Sequence, residues 1–202
     1  GLDGPANGGS NSTLTGFHGC KWLNLNWTIA DTQLHSSTQS WIDIRYAEIL
    51  LIYAEAHTQT TGYDAATEAA LNQLRDRCGM PDVPSGLSKE EGLKLIQNER
   101  RIELAGEGFR FEDIVRWDEY DQSGAKTGKK VAETVMPGDL YRLCGTVDYD
   151  EPDPDRRAVI DVNASREDRL VEVRYFDKKQ FHLPIMQAEM DANPQLVQND
   201  GY

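Results

Sequence analysis

The sequence predicts a mainly α-helical protein, built of helical hairpins joined by long irregular loops and accompanied by a few short strands. Three observations predict it. Apolar residues recur at helical spacing through residues 41–120. Capping and breaking residues (Asp64, Gly79, Pro81, Ser88, Gly106) divide that stretch into helix-sized pieces. Alternation of period two is confined to two brief runs, CKWLNLNWTIA and LVEVRYFD.

Residues 1–40 are polar and irregular except for the first of those runs. There Trp22, Asn24 and Asn26 alternate with Leu23, Leu25 and Trp27, as in a half-buried strand. The opening GLDGPANGGSNSTLTG has no initiator Met, no basic segment and no apolar run. It reads as loop rather than secretory signal, and the chain is expected to be a piece of a longer protein. IDIRYAEILLIYAEAHTQT then reads as a helix, with Ala47, Leu50, Leu51 and Ala54 on an apolar stripe and Arg45, Glu48 and Glu55 on a polar one. Gly62 and Tyr63 turn the chain. Asp64 caps the second helix, DAATEAALNQLRDR, which Gly79 and Pro81 end. Its alanines let the pair pack closely as a hairpin.

Ser88 and Glu91 have capping-box spacing and start a third helix. Losing such a cap typically costs about 1 kcal/mol. The helix runs to about Ala105 and is broken by Gly106-Glu107-Gly108. A fourth is expected over Phe109 to Tyr120, with Phe111, Ile114 and Val115 on one face. Two consecutive hairpins of this kind resemble tetratricopeptide architecture, although no unit of about 34 residues repeats. Residues 121–170 lose periodicity and carry a Pro-Gly turn and the acidic run DYDEPDPD. LVEVRYFD restores order, followed by FHLPI, a helical turn near Gln187 to Met190 and an Asn193-Pro194 turn. The chain is thus expected to comprise an irregular segment with a short strand (1–40), helical hairpins (41–120), a loop-rich insertion (121–172), and a C-terminal strand, turn and tail packing on the core (173–202).

The totals exclude several functions. A net charge of −13 repels nucleic acid, whose phosphates need a basic surface. No apolar run approaches the roughly 18 residues of a membrane span. Cys20, Cys78 and Cys144 form no CxxC, which argues against a zinc site; Cys78 reads as a small buried residue, and whether any two of the three bridge stays open. His18, His35, His57 and His182 show no ligand spacing, and His57 ends a helix, where a positive charge suits the dipole. DYDEPDPD has five carboxylates but lacks the central glycine of an EF-hand loop, so it reads as a solvated loop with no metal and no cofactor expected.

The most charged stretch is ERRIELAGEGFRFEDIVRW, residues 99–117. Paired carboxylates are what a glycosidase needs. Here, however, carboxylates and arginines share helical spacing: Arg100–Glu103, Arg110–Asp113 and Asp113–Arg116 at i, i+3, and Glu112–Arg116 at i, i+4. A neighbouring guanidinium lowers a carboxyl pKa and spoils it as a general acid. Glu99, Arg100, Glu103, Arg110, Asp113 and Arg116 are therefore expected to form a structural ion-pair motif with no catalytic residue.

IRYAEILLIYAEA, LNQLRDRCGMP, ERRIELAGEGFRFEDIVRW and FHLPIMQAEMDANPQLVQNDGY together resemble, in order, the motifs of the SusD/RagB family. In that family the corresponding patterns are R-x-A-E-x-x-L-x-x-A-E-A, N-x-x-R-x-R-x-G, E-R-R-x-E-L…G-x-R…D-x-x-R-W and P-I-P-x-x-E…N-P-x-L-x-Q-N-P-G-Y. The motifs cover residues 42–117 and 181–202; Met186, Ala188 and Asp200 depart from the tail pattern. The resemblance implies an outward-facing outer-membrane lipoprotein that captures oligosaccharides or other nutrients for a SusC-like TonB-dependent transporter. It also implies a tetratricopeptide-like helical fold of which this chain holds the last hairpins, with the lipid anchor outside it.

A sugar site wants a flat exposed aromatic with polar side chains beside it. Trp22 and Trp27, with Asn24 and Asn26 between them, fit this best, and Tyr149 in the acidic loop is a further candidate. Packing competes with ligand binding for both tryptophans. Trp41 at a helix start and Trp117 inside a family motif read as structural. Two rivals remain: a helical-hairpin module that binds protein and no glycan, and a glycan-active enzyme. An enzyme would lose turnover of a chromogenic glycoside on Glu103→Gln with its fold intact. The expected outcome is instead a lower melting temperature and no change in any activity, and a native melting temperature would refute the buried-lacing reading at this position.

Overall fold

In the computed structural model, which describes residues 15, 21, 40, 42–121, 123–148, 150–153, 156, 158–161 and 163–202, the chain forms two units. One holds residues 21–130, the other residues 1–20 with 131–202. The CKWLNLNWTIA run lies outside the described residues apart from Lys21, and Trp41 lies outside them too.

The first unit is helical. It holds α1 (Tyr46–Thr60), α2 (Ala65–Arg77), α3 (Lys89–Glu103) and α4 (Arg110–Arg116), followed by the hairpin β1 (Asp118–Tyr120) and β2 (Lys126–Lys130). Both α2 and α3 pack on α1. The apolar stripe of α1 meets Ala70, Leu71 and Leu74 of α2 and Ile96 of α3, and Leu51, Ala54, Leu71 and Ile96 are fully buried. Each such Leu or Ile contributes about 1.5–3 kcal/mol, more than any cap. Burial rather than helix propensity therefore holds the hairpin.

α1 starts later than its periodicity suggests. Arg45 is extended, with φ −138° and ψ 158°, and its side chain leaves the helix to reach Glu103 and Glu107. The α2 and α3 starts follow the caps. Asp64 Oδ1 accepts from the N–H of Ala66 (2.9 Å) and Thr67 (3.2 Å), and its other oxygen lies 3.0 Å from His57 Nε2. The capping box of Ser88 and Glu91 is complete. Gly92 sits inside α3, where glycine costs about 1 kcal/mol relative to alanine. A Cβ there would fall 2.8 Å from Cβ and Cγ of Tyr63, so the missing side chain is the space that the Tyr63 ring fills. That ring then donates its hydroxyl hydrogen bond to the Pro84 carbonyl at 2.9 Å.

α4 ends at Arg116, four residues before its expected end at Tyr120. Trp117 turns extended, and Asp118 pairs with Lys126 (2.6 Å) and Lys130 (2.7 Å) across the β1–β2 hairpin. These two ammonium groups hold the Asp118 carboxyl down at about 2. Cys78 is also corrected. It is exposed and free at the C-terminal cap of α2, and Cys144 is free as well.

The second unit carries short elements, several of them within the stretch expected to be a loop-rich insertion. It holds α5 (Val131–Val135), β3 (Gly138–Tyr141), β4 (Gly145–Val147), β5 (Ala158–Ile160), α6 (Arg166–Arg169), β6 (Leu170–Arg174), a 3-10 turn at Lys178–Phe181 and α7 (Gln187–Ala192). β3 pairs antiparallel with β6, and β4 with β5. β6 falls in the alternating LVEVRYFD run, whereas β3, β4 and β5, of three or four residues, are too short to show a period. Polar clamps close the tail. Gln198 both accepts from the Ile185 N–H (2.8 Å) and donates to its carbonyl (3.0 Å), while Asn199 donates to Leu183 O (2.6 Å).

Thr58 and Thr67, both fully buried, link α1 to α2 through hydroxyls 3.1 Å apart. Thr58→Val keeps the shape and strands the Thr67 hydroxyl, so it should cost about 1–3 kcal/mol, and adding Thr67→Val should recover most of that loss. Urea unfolding of both variants is the check. A double variant as unstable as the sum of the singles would refute the pairing.

Candidate functional site

The charged stretch folds into a lattice between helices. Glu55 of α1 accepts both terminal nitrogens of Arg116 (2.7 Å for Nη2) and the indole N–H of Trp117 (2.8 Å). Asp113 accepts from Nε and Nη2 of Arg100 at 3.0 and 2.9 Å, and from Nη2 of Arg116 at 2.8 Å. Arg75 of α2 reaches Glu99 at 2.5 Å, and Arg77 reaches both oxygens of Glu103 at 2.7 and 2.8 Å. Arg45 grips Glu103 at 2.6 Å and takes Glu107 with two nitrogens at 2.7 Å; Lys21 also pairs with Glu107. Glu55, Glu99, Arg100, Glu107 and Asp113 are all buried.

Of the spacings within helices, Asp113–Arg116 is formed. Arg100 turns to Asp113 and Glu55 rather than Glu103, and Arg116 turns to Glu55 rather than Glu112. The guanidinium carbon of Arg110 lies 5.9 Å from the Trp117 ring centre instead of pairing with Asp113. The reason is burial. These faces turn toward other helices, and a buried charge needs a well-aligned partner on the surface that covers it. Arg45, Glu55, Arg75, Arg77 and Glu107 thus complete the lattice. The signal that could have found Arg45, Glu55, Arg75 and Arg77 is their place in the R-x-A-E-x-x-L-x-x-A-E-A and N-x-x-R-x-R patterns, whereas Glu107 falls in the unspecified gap of the third.

Chemically the lattice is closed. Arg116 is held above its ordinary pKa first by its hydrogen bonds to Glu55, and Arg45 first by those to Glu107. Burial pushes the Glu107 carboxyl upward, but hydrogen bonds from Arg45 and Lys21 outweigh it and the carboxyl sits below its ordinary range. Glu55, Glu99, Glu103, Glu107 and Asp113 each meet a guanidinium within ion-pair distance. Among the described residues, no group of three His, Cys, Asp or Glu is placed to hold a metal ion.

Among the described residues each unit has a concavity of its own. Between α1 and α4 a cleft of about 450 Å³ is lined by Ile52, Ala56, Gln59, Phe109, Glu112 and the edge of the lattice. In the second unit a concavity of about 510 Å³ is lined by Tyr141, Arg166 and Arg169. Tyr141 donates its hydroxyl hydrogen bond to Asp139 at 2.7 Å, and Arg166 Nη2 meets the same oxygen at 2.7 Å. The Asp139 carboxyl is lowered by that hydroxyl first and by Arg166 second. The guanidinium carbons of Arg166 and Arg169 lie 5.3 and 5.9 Å from the Tyr141 ring centre. No feature of the sequence singled out this trio, because its members come from a loop-rich region without period. Trp22, Asn24, Asn26, Trp27 and Tyr149 lie outside the described residues.

A helical unit laced by buried ion pairs, joined in sequence to a unit of short strands and helices, is the class of molecule that these features define. Residues 2–202 match the SusD family model, and the chain belongs to that family. It is 34% identical over 95 residues to SusD-like protein P2 of Formosa agariphila, a match covering 44% of this chain and 19% of that protein. It is 36% identical over 102 residues to SusD-like protein P38 of the same organism, covering 46% and 19%. The crystal structure of a SusD-like protein from Bacteroides fragilis superposes with a TM-score of 0.71 at 25% identity, over 98% of this chain and 33% of that one. A SusD superfamily protein from Parabacteroides distasonis shares the fold, with a TM-score of 0.52 at 22% identity over 84% of this chain and 29% of that one. The chain spans about a fifth of the length of the curated relatives it matches.

Glu107→Gln tests the lattice. The wild-type carboxylate stabilises the fold above the ordinary carboxylate range, and that contribution is lost as pH falls through its lowered folded value. Breaking such a buried pair should cost about 3–5 kcal/mol at pH 7. The gap between variant and wild type should then narrow steadily as the pH drops below about 4. A gap that stays constant across that window in thermal melts would show that Glu107 does not act through its charge.

Proposed function

We propose that this chain is part of a surface-exposed glycan- or nutrient-binding component of an outer-membrane SusC/SusD-type uptake system. The carrying observation is the family match across residues 2–202. In this reading the protein captures oligosaccharides on a preformed surface and hands them to a SusC-like TonB-dependent transporter. It breaks no bond and uses no cofactor. It faces outward from the outer membrane, held by a lipid anchor. No helix among the described residues is long and apolar enough to cross a membrane, which is compatible with anchoring of this kind.

The closed lattice supports a binding role over catalysis. Retaining and inverting glycosidases alike need one carboxyl held protonated opposite a second that is ionised. Here Glu55, Glu99, Glu103, Glu107 and Asp113 each meet a guanidinium, and the motif holds the scaffold together. Binding would fall to aromatic and polar surfaces, for which Trp22, Asn24, Asn26, Trp27 and Tyr149 remain the candidates from the sequence. Covering one such ring buries about 150–250 Å², and ordering costs offset much of the gain, so a single platform binds weakly.

Calorimetric titration of a panel of oligosaccharides against the protein as cells produce it tests this. Saturable binding of at least one member, with no release of reducing ends, is the expected outcome. Trp22→Ala and Trp27→Ala should each weaken that binding if the platform lies in this chain. Turnover of any member, or silence across the whole panel, would overturn the reading.

A further inference from the structure

The concavity in the second unit differs from the rest of the chain in charge. The protein carries a formal charge of −13, yet among the described residues the side chains lining this space are one tyrosine and two arginines. Their surroundings are already partly neutralised. Asp139 takes the Arg166 guanidinium at 2.7 Å and also the Tyr141 hydroxyl. Arg169 is different: among the described residues it has no carboxylate partner. Its Nε lies 3.5 Å from the Arg142 carbonyl and its guanidinium carbon 5.9 Å from the Tyr141 ring centre. It is also only partly exposed.

The local structure sets up this arrangement. Ser165 caps α6 by accepting from the Asp168 N–H, which fixes the turn carrying Arg166 and Arg169. β3 pairs with β6 immediately after that turn and places Tyr141 opposite Leu170. The two arginines, three residues apart, therefore face one aromatic ring. Stacking on the ring restrains the Arg169 side chain in advance, so less freedom is lost when it engages a ligand. A guanidinium presents a planar fork of N–H donors that matches paired oxygens of a carboxylate or a sulfate ester. The volume of about 510 Å³ lies within the usual span of small-ligand sites.

We propose that the concavity lined by Tyr141, Arg166 and Arg169 is a subsite for an acidic sugar residue, whose carboxylate or sulfate ester is held by Arg169. The inference rests on the glycan-capture reading and adds a substrate class to it. The net negative charge of the chain repels polyanions at a distance. Recognition therefore depends on short-range contact with Arg169, and the acidic group is bound one residue at a time rather than by a broad basic field.

The test is calorimetric titration of the chain with three probes of equal length. Tetragalacturonate carries carboxylates, a carrageenan tetrasaccharide carries sulfate esters without carboxylates, and cellotetraose is neutral. At least one acidic probe should bind about tenfold more tightly than cellotetraose, as a charge-assisted bidentate contact provides. The tighter of the two identifies the acidic group. Arg169→Gln should remove that preference at an unchanged melting temperature, and Arg169→Lys should keep part of it, since charge survives without the fork. If cellotetraose binds as tightly as both acidic probes, glycan capture stands and the acidic subsite falls. A preference that survives Arg169→Gln would also overturn this assignment. Failure of all three probes to bind would remove the inference together with the glycan-capture reading for this chain.

Discussion

The helical unit depends on one constraint: buried charges must be paired across helices. Lys21, Arg45, Arg75, Arg77, Arg100 and Arg116 meet Glu55, Glu99, Glu103, Glu107 and Asp113 between the helices and the segments that flank them. An apolar core tolerates small slides, because dispersion and hydrophobic burial have little direction. A forked guanidinium facing a carboxylate does not, since moving by part of a helical turn leaves both charges buried and alone. The core around Leu51, Leu71 and Ile96 thus supplies cohesion, whereas the lattice fixes register. Replacing such a lattice wholly with apolar residues is often energetically neutral. Its value in this unit therefore lies in specifying one arrangement of α1, α2, α3 and α4.

This division explains why the first three sequence motifs occur together. Arg45 and Glu55 come from the first, Arg75 and Arg77 from the second, and their partners Glu99, Glu103, Glu107, Arg116 and Trp117 from the third. None of the three makes structural sense alone. Asn72, also in the second, accepts from the Val83 N–H at 2.9 Å and ties the loop after α2 back to its helix. The tail motif works by similar means inside the other unit, through the two-way bond between Gln198 and Ile185. What looks in the sequence like scattered charge is a set of mutually dependent contacts.

Local rules read the elements they govern. The starts of α2 and α3 follow directly from Asp64 and from Ser88 with Glu91, because a cap is decided within a few residues. The apolar stripe Ala47, Leu50, Leu51, Ala54 is buried as its period demands. Legibility fails where distant partners decide. The sequence predicts α4 up to Tyr120 because nothing local stops it, whereas the chain turns extended at Trp117 and Asp118 pairs with Lys126 and Lys130 across the next turn. Arg45 leaves the helix for partners 58 and 62 residues away. Cys78 reads as buried because it follows an apolar helix, but it lies just past the last turn, where the chain has left the core. The intrahelical spacings of Arg100–Glu103 and Glu112–Arg116 were equally valid locally, and the better-aligned interhelical partners displaced them.

The same reasoning explains why the candidate binding features were the hardest to read. Tyr141, Arg166 and Arg169 sit on a strand of four residues and a helix of four, which have too few positions to show a period. Their meeting depends on β3 finding β6 across an intervening loop and a second strand pair. A scaffold leaves a strong trace in sequence because many residues must satisfy one repeating geometry. A recognition surface needs only a few side chains held at the ends of short elements, and each of those residues, taken alone, is compatible with ordinary solvated loop. The charged motifs therefore mark what holds the helical unit together, while the proposed subsite lies on short elements that leave no such trace.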